Sequence, residues 1–182
     1  MQGYNLIVVF SEDRTKMLMC RRLKEPYMGL YNFVGGKIEK GEDGIDAAYR
    51  ELWEETAVTR DDIVLTHLMD FTYHIDECYV EVYAGRLNKN FTPVGDENKL
   101  LWMTPDKDFF DPNVFAGEGN IGHIMMHLEM HKDILLKLKN PPFVNLSDFR
   151  RSRFAYKGDF LYYFRYFLSR GTRLSSAFSK LW

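Results

Sequence analysis

Residues 35–58 read GGKIEKGEDGIDAAYRELWEETAV, which combines four glycines with a dense group of acidic residues. Its second half, 44–56, has the 3.6-residue periodicity of an amphipathic helix. The apolar face of this predicted helix consists of Ile45, Ala48, Tyr49, Leu52 and Thr56. Because residues three and four apart share a helix face, Glu51, Glu54 and Glu55 are expected to project in the same direction. Like charges at this spacing repel one another, so the cluster needs an explanation.

Two explanations of the glutamate cluster are open. The first is a solvated acidic helix face. The second is a site for a hard divalent cation, because carboxylate oxygens are the ligands that Mg²⁺ prefers. Gly35 and Gly36 interrupt a predicted strand, and glycines there allow the backbone to approach a ligand closely. Together with Arg50, which can hold a neighbouring carboxylate in place, these glycines favour the cation site.

The same stretch resembles the Nudix box, G-x5-E-x7-R-E-U-x-E-E-x-G-U, in which U is an aliphatic residue. The matching positions are filled, in order, by Gly36, Glu42, Arg50, Glu51, Leu52, Glu54, Glu55 and Val58. One position departs from the pattern, since Ala57 stands where the second glycine is expected. That glycine commonly ends the helix in a left-handed conformation. We expect alanine to cost about 1 kcal/mol there without removing a ligand.

The resemblance implies an α+β protein with the Nudix fold, an α/β/α sandwich around a mixed central sheet. It implies an enzyme that uses water and Mg²⁺ or Mn²⁺ to cleave a nucleoside diphosphate linked to another group. It further implies that Arg50 orients Glu51 and that Glu42 braces the loop before the helix. Either Glu51 or Glu97 is the general base, and the implied metal ligands are Glu51, Glu54, Glu55, Glu97 and the carbonyl of Gly35 or Gly36. An ordinary loop acid remains the alternative for Glu97.

The segment KEPYMGLYNFVGGKIEKGED resembles MutT-like enzymes that remove oxidised purine nucleotides, the 8-oxo-dGTP diphosphatase type. It favours hydrolysis of a nucleoside triphosphate, normal or modified, to a monophosphate and pyrophosphate. ADP-ribose, a nucleotide sugar or a dinucleoside polyphosphate is the alternative substrate. A Nudix-fold sensor or nucleic-acid-binding protein is the alternative from another class.

Eight residues are candidates for substrate binding, and each also has a purely structural alternative. Their proposed roles are base reading by Asn32, stacking by Phe33 and Trp102, phosphate binding by Arg21, Arg22 and Lys37, and closure over the base by Asn113 and Asn120. The structural alternatives are a strand-end cap for Asn32, core packing for the aromatic residues and surface charge for the basic ones. Asn120 has the alternative of capping the helix that follows it.

The remaining elements follow from apolar periodicity and from turn residues. A hairpin is expected at the start of the chain, and a brief helix after residue 104. The predicted strands are 4–10, 16–22, 32–38, 64–75, 79–87 and 100–103, and a long amphipathic helix is predicted at 121–138.

Asn140, Pro141 and Pro142 mark the predicted end of the Nudix domain, residues 1–140. The extension, residues 141–182, is basic and aromatic, and the chain from residue 140 onward carries a net +6, which leaves −8 for the rest. We expect a helix that docks on the domain or forms a homodimer, because so many aromatic side chains are costly to leave in water. Nucleic-acid binding is the alternative, since cations meet phosphates and rings stack on bases.

Three further features bear on the environment of the chain. Its 182 residues carry a formal net charge of −2, so no bulk polyanion partner is implied. Cys20 and Cys78 lie in apolar, strand-like runs without a metal-binding spacing, which predicts core thiols in a reducing compartment. No stretch reaches the apolar length of a membrane span, and the N-terminus lacks a signal-peptide pattern. A cytoplasmic location is therefore expected.

Overall fold

A computed structural model describes residues 1–93 and 98–131 of the chain. In chain order the elements are β1 Gln2–Phe10, β2 Met17–Arg21, β3 Tyr31–Asn32, β4 Lys37–Ile38, α1 Gly44–Thr56, β5 Thr66–Tyr73, β6 Cys78–Arg86, β7 Lys99–Met103 and α2 Asn120–Met130. The predicted bounds of α1 are confirmed, and the predicted strands lie within two residues of observed ones, apart from 32–38. That strand is divided into β3 and β4 by the glycines.

The strands form one mixed seven-stranded sheet. Its main order is β3-β2-β1-β6-β5, with β4 paired to β1 and β7 paired to β2. β1 and β6 run parallel, from Gln2 opposite Cys78 to Phe10 opposite Arg86, and the other pairs are antiparallel. The predicted hairpin of β1 and β2 is confirmed by the pairing of Phe10 with Met17.

Each face of the sheet is covered by one helix, as the side-chain alternation of β1 requires. Val8 and Phe10 belong to the core beneath α2, where Ile124 of that helix is fully buried. Ile7 and Val9 belong to the core beneath α1, which Leu52 of that helix completes. The predicted α/β/α sandwich is therefore confirmed.

Helix α1 ends where the sequence pattern predicts a glycine. Ala57 has φ 58° and ψ 14°, which is the left-handed conformation, and its N–H donates to the Trp53 carbonyl at 2.7 Å. The box glycine is thus replaced without changing how the helix ends.

The predicted brief helix after residue 104 is wrong, because the structure has turns there. Acidic side chains hydrogen-bond to nearby groups in these turns: Thr104 donates its hydroxyl to Asp106, and the Phe110 N–H donates to Asp108. Such local bonds compete with helix formation. Helix α2 ends at Met130 with His131 as its C-cap, and residues 132–138 of the predicted helix lie outside the described residues.

Both cysteines are free thiols. Cys20 is buried, as predicted, and burial raises its pKa to about 12, whereas Cys78 is only half-buried. Within residues 1–93 and 98–131, no helix is long and apolar enough to cross a membrane. The predicted domain boundary at residue 140, the docked extension 141–182 and Glu97 lie outside the described residues.

Candidate active site

Arg50 is the centre of a network of carboxylates on α1 and the loop before it. Its Nε and Nη2 each donate to one oxygen of Glu42 at 2.9 Å, while Nη1 donates to Glu51 at 2.8 Å and to Glu54 at 3.2 Å. Nη2 also donates to the Lys37 carbonyl at 2.9 Å. The hydrogen bonds from Arg50 lower the pKa of Glu42. Arg50 therefore holds Glu51 and ties the loop to the helix, and Glu42 braces that loop.

Glu51 is packed beneath the glycine segment. Its side chain is 15% exposed, and a Cβ at Gly36 would overlap its carboxylate. A side chain at Gly36 would therefore push the Glu51 carboxylate away from its bond to Arg50. Burial raises the pKa of Glu51, the hydrogen bond from Arg50 opposes the shift, and the charges of Glu54 and Glu42 add to it.

Glu55 joins the helix to the glycine segment and to the start of β7. One of its carboxylate oxygens accepts a hydrogen bond from the Gly35 N–H at 3.1 Å. The other accepts from the Asn98 amide at 3.4 Å. Gly35 has φ 144°, in the region that favours glycine. This backbone conformation brings the two glycines against both Glu51 and Glu55.

The donor groups fit a hard divalent cation, since the half-buried carboxylates of Glu51 and Glu55 lie next to glycine backbone, with the exposed Glu54 on the same helix. No three acidic, histidine or cysteine side chains converge as a ready metal site within residues 1–93 and 98–131. Arg50 contacts Oε1 of Glu51 and Oε2 of Glu54, so Arg50 could keep one oxygen of each carboxylate while the other oxygen turns toward an ion.

The model of the NUDIX domain matches residues 1–116, which is more than half of the chain. The chain belongs to the Nudix family. Membership makes it a pyrophosphohydrolase, and enzymes of this family generally use divalent metal ions. A search of curated proteins found no match.

Solved Nudix structures share the fold at low sequence identity. A MutT from work on Aliivibrio salmonicida and Vibrio cholerae has a TM-score of 0.54 and 19% identity, over 70% of this chain and 96% of that one. A C. elegans Ap4A hydrolase has a TM-score of 0.56 and 16% identity, over 70% of this chain and 96% of that one. The NUDIX domain of Shewanella oneidensis NrtR, solved with ADP ribose, has a TM-score of 0.54 and 16% identity, over 71% of this chain and 86% of that one.

The aromatic candidates of this Nudix domain are packing residues. Phe33 is 1% exposed and lies in the core beneath α2, so the prediction that it stacks on a base is wrong. Trp102 is half-buried against the core beneath α1, where its Nε1–H donates to the Phe91 carbonyl at 3.1 Å and its ring meets Phe91 edge-to-face. Phe33 directly follows β3 and Trp102 lies on β7, and both rings pack against core residues.

The basic candidates lie along two segments near the glycines. Arg21 donates from Nε to the Gly29 carbonyl at 3.1 Å, and Arg22 donates to the Pro26 carbonyl at 2.8 Å. Both arginines thereby brace the loop between β2 and β3. Lys37 is exposed immediately after Gly36, and only its carbonyl takes part in the Arg50 network.

The amide candidates have different environments. Asn32 is half-buried on β3, and its Oδ1 accepts from the Phe33 N–H at 2.9 Å. Asn113 is exposed and bonds to Asp111 within its own loop. Asn120 is the first residue of α2 rather than its cap, which is Gly119, and its amide donates to the Tyr73 hydroxyl.

Tyr27, Tyr73 and Glu118 form a further polar group that is not among the predicted site residues. Burial raises the pKa of both tyrosines, and the charge of Glu118 raises them further. Glu118 is exposed and has φ 54° between two glycines. Its loop is attached to the strand of Asn32, because Tyr31 exchanges backbone bonds with residues 114 and 116. The sequence signal is the run GEG, in which two glycines present one carboxylate.

Proposed function

We propose that this Nudix enzyme hydrolyses a nucleoside triphosphate, normal or modified at its base, to a monophosphate and pyrophosphate with Mg²⁺ or Mn²⁺. The observation that carries the proposal is the arrangement of Glu51, Glu54 and Glu55 around Arg50 and the glycine segment. A structural acidic helix face has no need of a half-buried Glu51 packed against Gly36, next to a Gly35 whose backbone conformation favours glycine.

In this proposal, Glu51, Glu54, Glu55 and Glu97 would hold the metal ion together with one glycine carbonyl. The Gly36 carbonyl already accepts a hydrogen bond from the Asn5 N–H at 2.9 Å, so we assign the metal-facing carbonyl to Gly35. A divalent ion held there would supply positive charge to offset the phosphates and to activate the attacking water.

The residues of the chain position the reacting groups. Arg50 fixes the rotamer of Glu51 through the bond to its carboxylate. The raised pKa of Glu51 brings it closer to the range in which a carboxylate is an effective base, so Glu51 and Glu97 are the two candidates for the general base. Water attacks a phosphorus of the triphosphate, its proton passes to the base, and the bond to the departing pyrophosphate breaks.

The base of the nucleotide is assigned to the polar group around Glu118. A carboxylate accepts hydrogen bonds from the N–H groups on the edge of a purine such as guanine. Asn32 offers a donor and an acceptor on the adjoining strand, and Tyr27 and Tyr73 supply aromatic surface for the ring. A guanine nucleotide, 8-oxo-dGTP included, is accordingly the first substrate to test.

A panel of dGTP, 8-oxo-dGTP, dATP, ADP-ribose and Ap4A, assayed with Mg²⁺ and with Mn²⁺, tests the proposal. We expect the highest kcat/KM for a triphosphate, with pyrophosphate rather than orthophosphate as the initial product. A higher kcat/KM for ADP-ribose or Ap4A would reject the triphosphate assignment and leave the metal site intact. Absence of hydrolysis of every compound would reject the activity itself.

A further inference from the structure

Asn5 is a buried amide within the apolar strand YNLIVVF. It is 1% exposed, and only Thr56 and Asp62 are comparably buried polar residues in the described part of the chain. Burial of an amide is unfavourable unless it is hydrogen-bonded. The position of Asn5 at the centre of the sheet therefore requires a specific contact.

That contact is the glycine segment of the active site. The Asn5 N–H donates to the Gly36 carbonyl at 2.9 Å, and the Gly36 N–H donates to the side-chain Oδ1 of Asn5 at 3.2 Å. In a regular antiparallel pair, the second bond would end on the main-chain carbonyl of Asn5. Here the side chain takes the place of that carbonyl.

Gly35 explains why the side chain is needed. A Cβ at Gly35 would overlap the Asn5 carbonyl, so the backbone of Gly35 already lies against that oxygen. With φ 144° at Gly35, the backbone of the glycine segment departs here from the regular strand conformation that would pair with β1. The Asn5 side chain bonds to the displaced backbone at Gly36. Regular pairing of the two strands follows, with Tyr4 opposite Lys37 and Gly3 opposite Ile38.

The same two glycines face the candidate metal ligands. The Gly35 N–H donates to Glu55 at 3.1 Å, and the Glu51 carboxylate occupies the space that a side chain at Gly36 would fill. Asn5 therefore contacts one side of a single strand of backbone, while the glutamates contact the other. A change in the length or acceptor group of residue 5 would displace this backbone relative to Glu51 and Glu55.

The two ends of the Asn5 amide differ in what they contact. Its Oδ1 accepts from the Gly36 N–H, whereas its buried Nδ2 has no protein partner in the described structure. An unpaired buried donor is unfavourable, so the bond to Gly36 is the contact that accounts for an asparagine at this position.

We propose that Asn5 is a positioning residue for hydrolysis. Its Oδ1 sets the position of the Gly35–Gly36 backbone, and thereby the carbonyl that joins the glutamates in holding the metal ion. This inference rests on the proposed metal-dependent function.

The test uses the full chain and three variants of Asn5. Asn5→Leu removes the acceptor at similar size, Asn5→Ser keeps a smaller polar group too short to reach, and Asn5→Asp keeps an oxygen in the place of Oδ1. Asp62→Ala is the matched control, because Asp62 is a buried polar side chain that bonds to Thr59 and Lys89 instead of the glycines. Mn²⁺ affinity without nucleotide is measured by titration of the free-ion EPR signal, alongside Tm, kcat and KM.

We expect Asn5→Leu and Asn5→Ser to weaken Mn²⁺ binding by about 10-fold or more, as is usual for groups that orient metal ligands. Their kcat should fall more than KM rises, and Asn5→Asp should recover most of the Mn²⁺ affinity. Asp62→Ala should lower Tm while its Mn²⁺ affinity stays at the wild-type value.

Wild-type Mn²⁺ affinity in Asn5→Ser, with a Tm loss like that of the control, would overturn the inference and leave Asn5 a packing residue. Should Asn5→Leu fail to fold, the comparison of Asn5→Ser with Asn5→Asp decides in the same way. Absence of Mn²⁺ binding by the wild-type protein would instead reject the proposed metal-dependent function, which is a different outcome.

Discussion

The Nη1 atom of Arg50 lies 2.8 Å from the Oε1 atom of Glu51, and this contact connects the electrostatics of α1 to its chemistry. The same nitrogen also donates to Glu54, so one guanidinium compensates two of the candidate metal ligands. Arg50 thus offsets the repulsion between Glu51 and Glu54 and holds one oxygen of each carboxylate in place.

Removing the Glu54 carboxylate should lower activity without lowering the stability of the fold. Its side chain is 48% exposed, and its pair with Arg50 is worth about 0.5 kcal/mol at such a surface position. We expect Glu54→Gln to lower kcat/KM by about 100-fold, since a metal ligand is lost, with Tm nearly unchanged. Steady-state kinetics and calorimetry measure both. Glu12→Gln, an exposed glutamate in the β1–β2 turn, is the control, and full activity in Glu54→Gln would contradict the metal assignment.

Arg50→Lys tests whether geometry or charge alone is required. Lysine keeps the charge but cannot hold both oxygens of Glu42 while reaching Glu51 and the Lys37 carbonyl. We expect kcat to fall by about 10- to 100-fold, the usual effect of losing a group that orients a metal ligand. Arg60→Lys is the matched control, because Arg60 pairs with the exposed Asp46 near the same helix. Equal kinetics of the two variants would show that Arg50 acts only as a charge.

Local patterns predicted those parts of the molecule that depend on neighbours in sequence. The bounds of α1 follow from its periodicity and flanking glycines, and the left-handed end at Ala57 follows from the box pattern. For Phe33 the sequence left base stacking and core packing open, because a short segment beside glycines does not reveal which face of the sheet its side chains join. Asn5 is visible as a polar residue in an apolar strand, yet its partner Gly36 is 31 positions away. The bond between Asn120 and Tyr73 spans 47 positions and is equally hidden from local reasoning.

Ala57→Gly should stabilise the protein. The left-handed conformation costs an alanine about 1–2 kcal/mol, whereas glycine adopts it freely. Part of this gain, about 0.5–1 kcal/mol, is offset by the greater freedom of glycine in the unfolded chain. We expect a net gain of about 0.5–1 kcal/mol, seen as a Tm rise of about 2–4 °C. Ala47→Gly, in the buried interior of the same helix, should lower Tm, and a fall in Tm for Ala57→Gly would contradict the assigned conformation.

Glu118→Gln should change nucleotide preference with little effect on chemistry. If Glu118 accepts hydrogen bonds from a guanine edge, replacing one acceptor oxygen by an amide donor should reduce the kcat/KM ratio of dGTP to dATP. We expect a reduction of about 10-fold, because a mismatched donor leaves polar groups unpaired. The Mn²⁺ affinity should not change, since Glu118 is not among the candidate metal ligands. Glu12→Gln serves again as control, and an unchanged ratio would remove Glu118 from the base site.

Asp62 should make folding stability depend on pH below neutrality. Its pKa lies below the usual value because of the hydrogen bond with Lys89 and, next in size, that from the Thr59 N–H. A carboxylate with a lowered folded pKa stabilises the native state above its unfolded pKa of about 4, and this contribution is lost as pH falls through the folded pKa.

The corresponding experiment compares Tm of wild type and Asp62→Asn from pH 7 to pH 2. We expect the variant to be less stable by about 1 kcal/mol at neutral pH, because the ion pair with Lys89 is lost while an amide oxygen can still accept from Thr59. The difference in Tm should narrow below about pH 4, where wild-type Asp62 becomes protonated. Asp61→Asn is the control, since Asp61 is exposed and contributes only its carbonyl, as the acceptor for Asn88. A difference that stays constant across the whole range would show that the charge of Asp62 does not contribute.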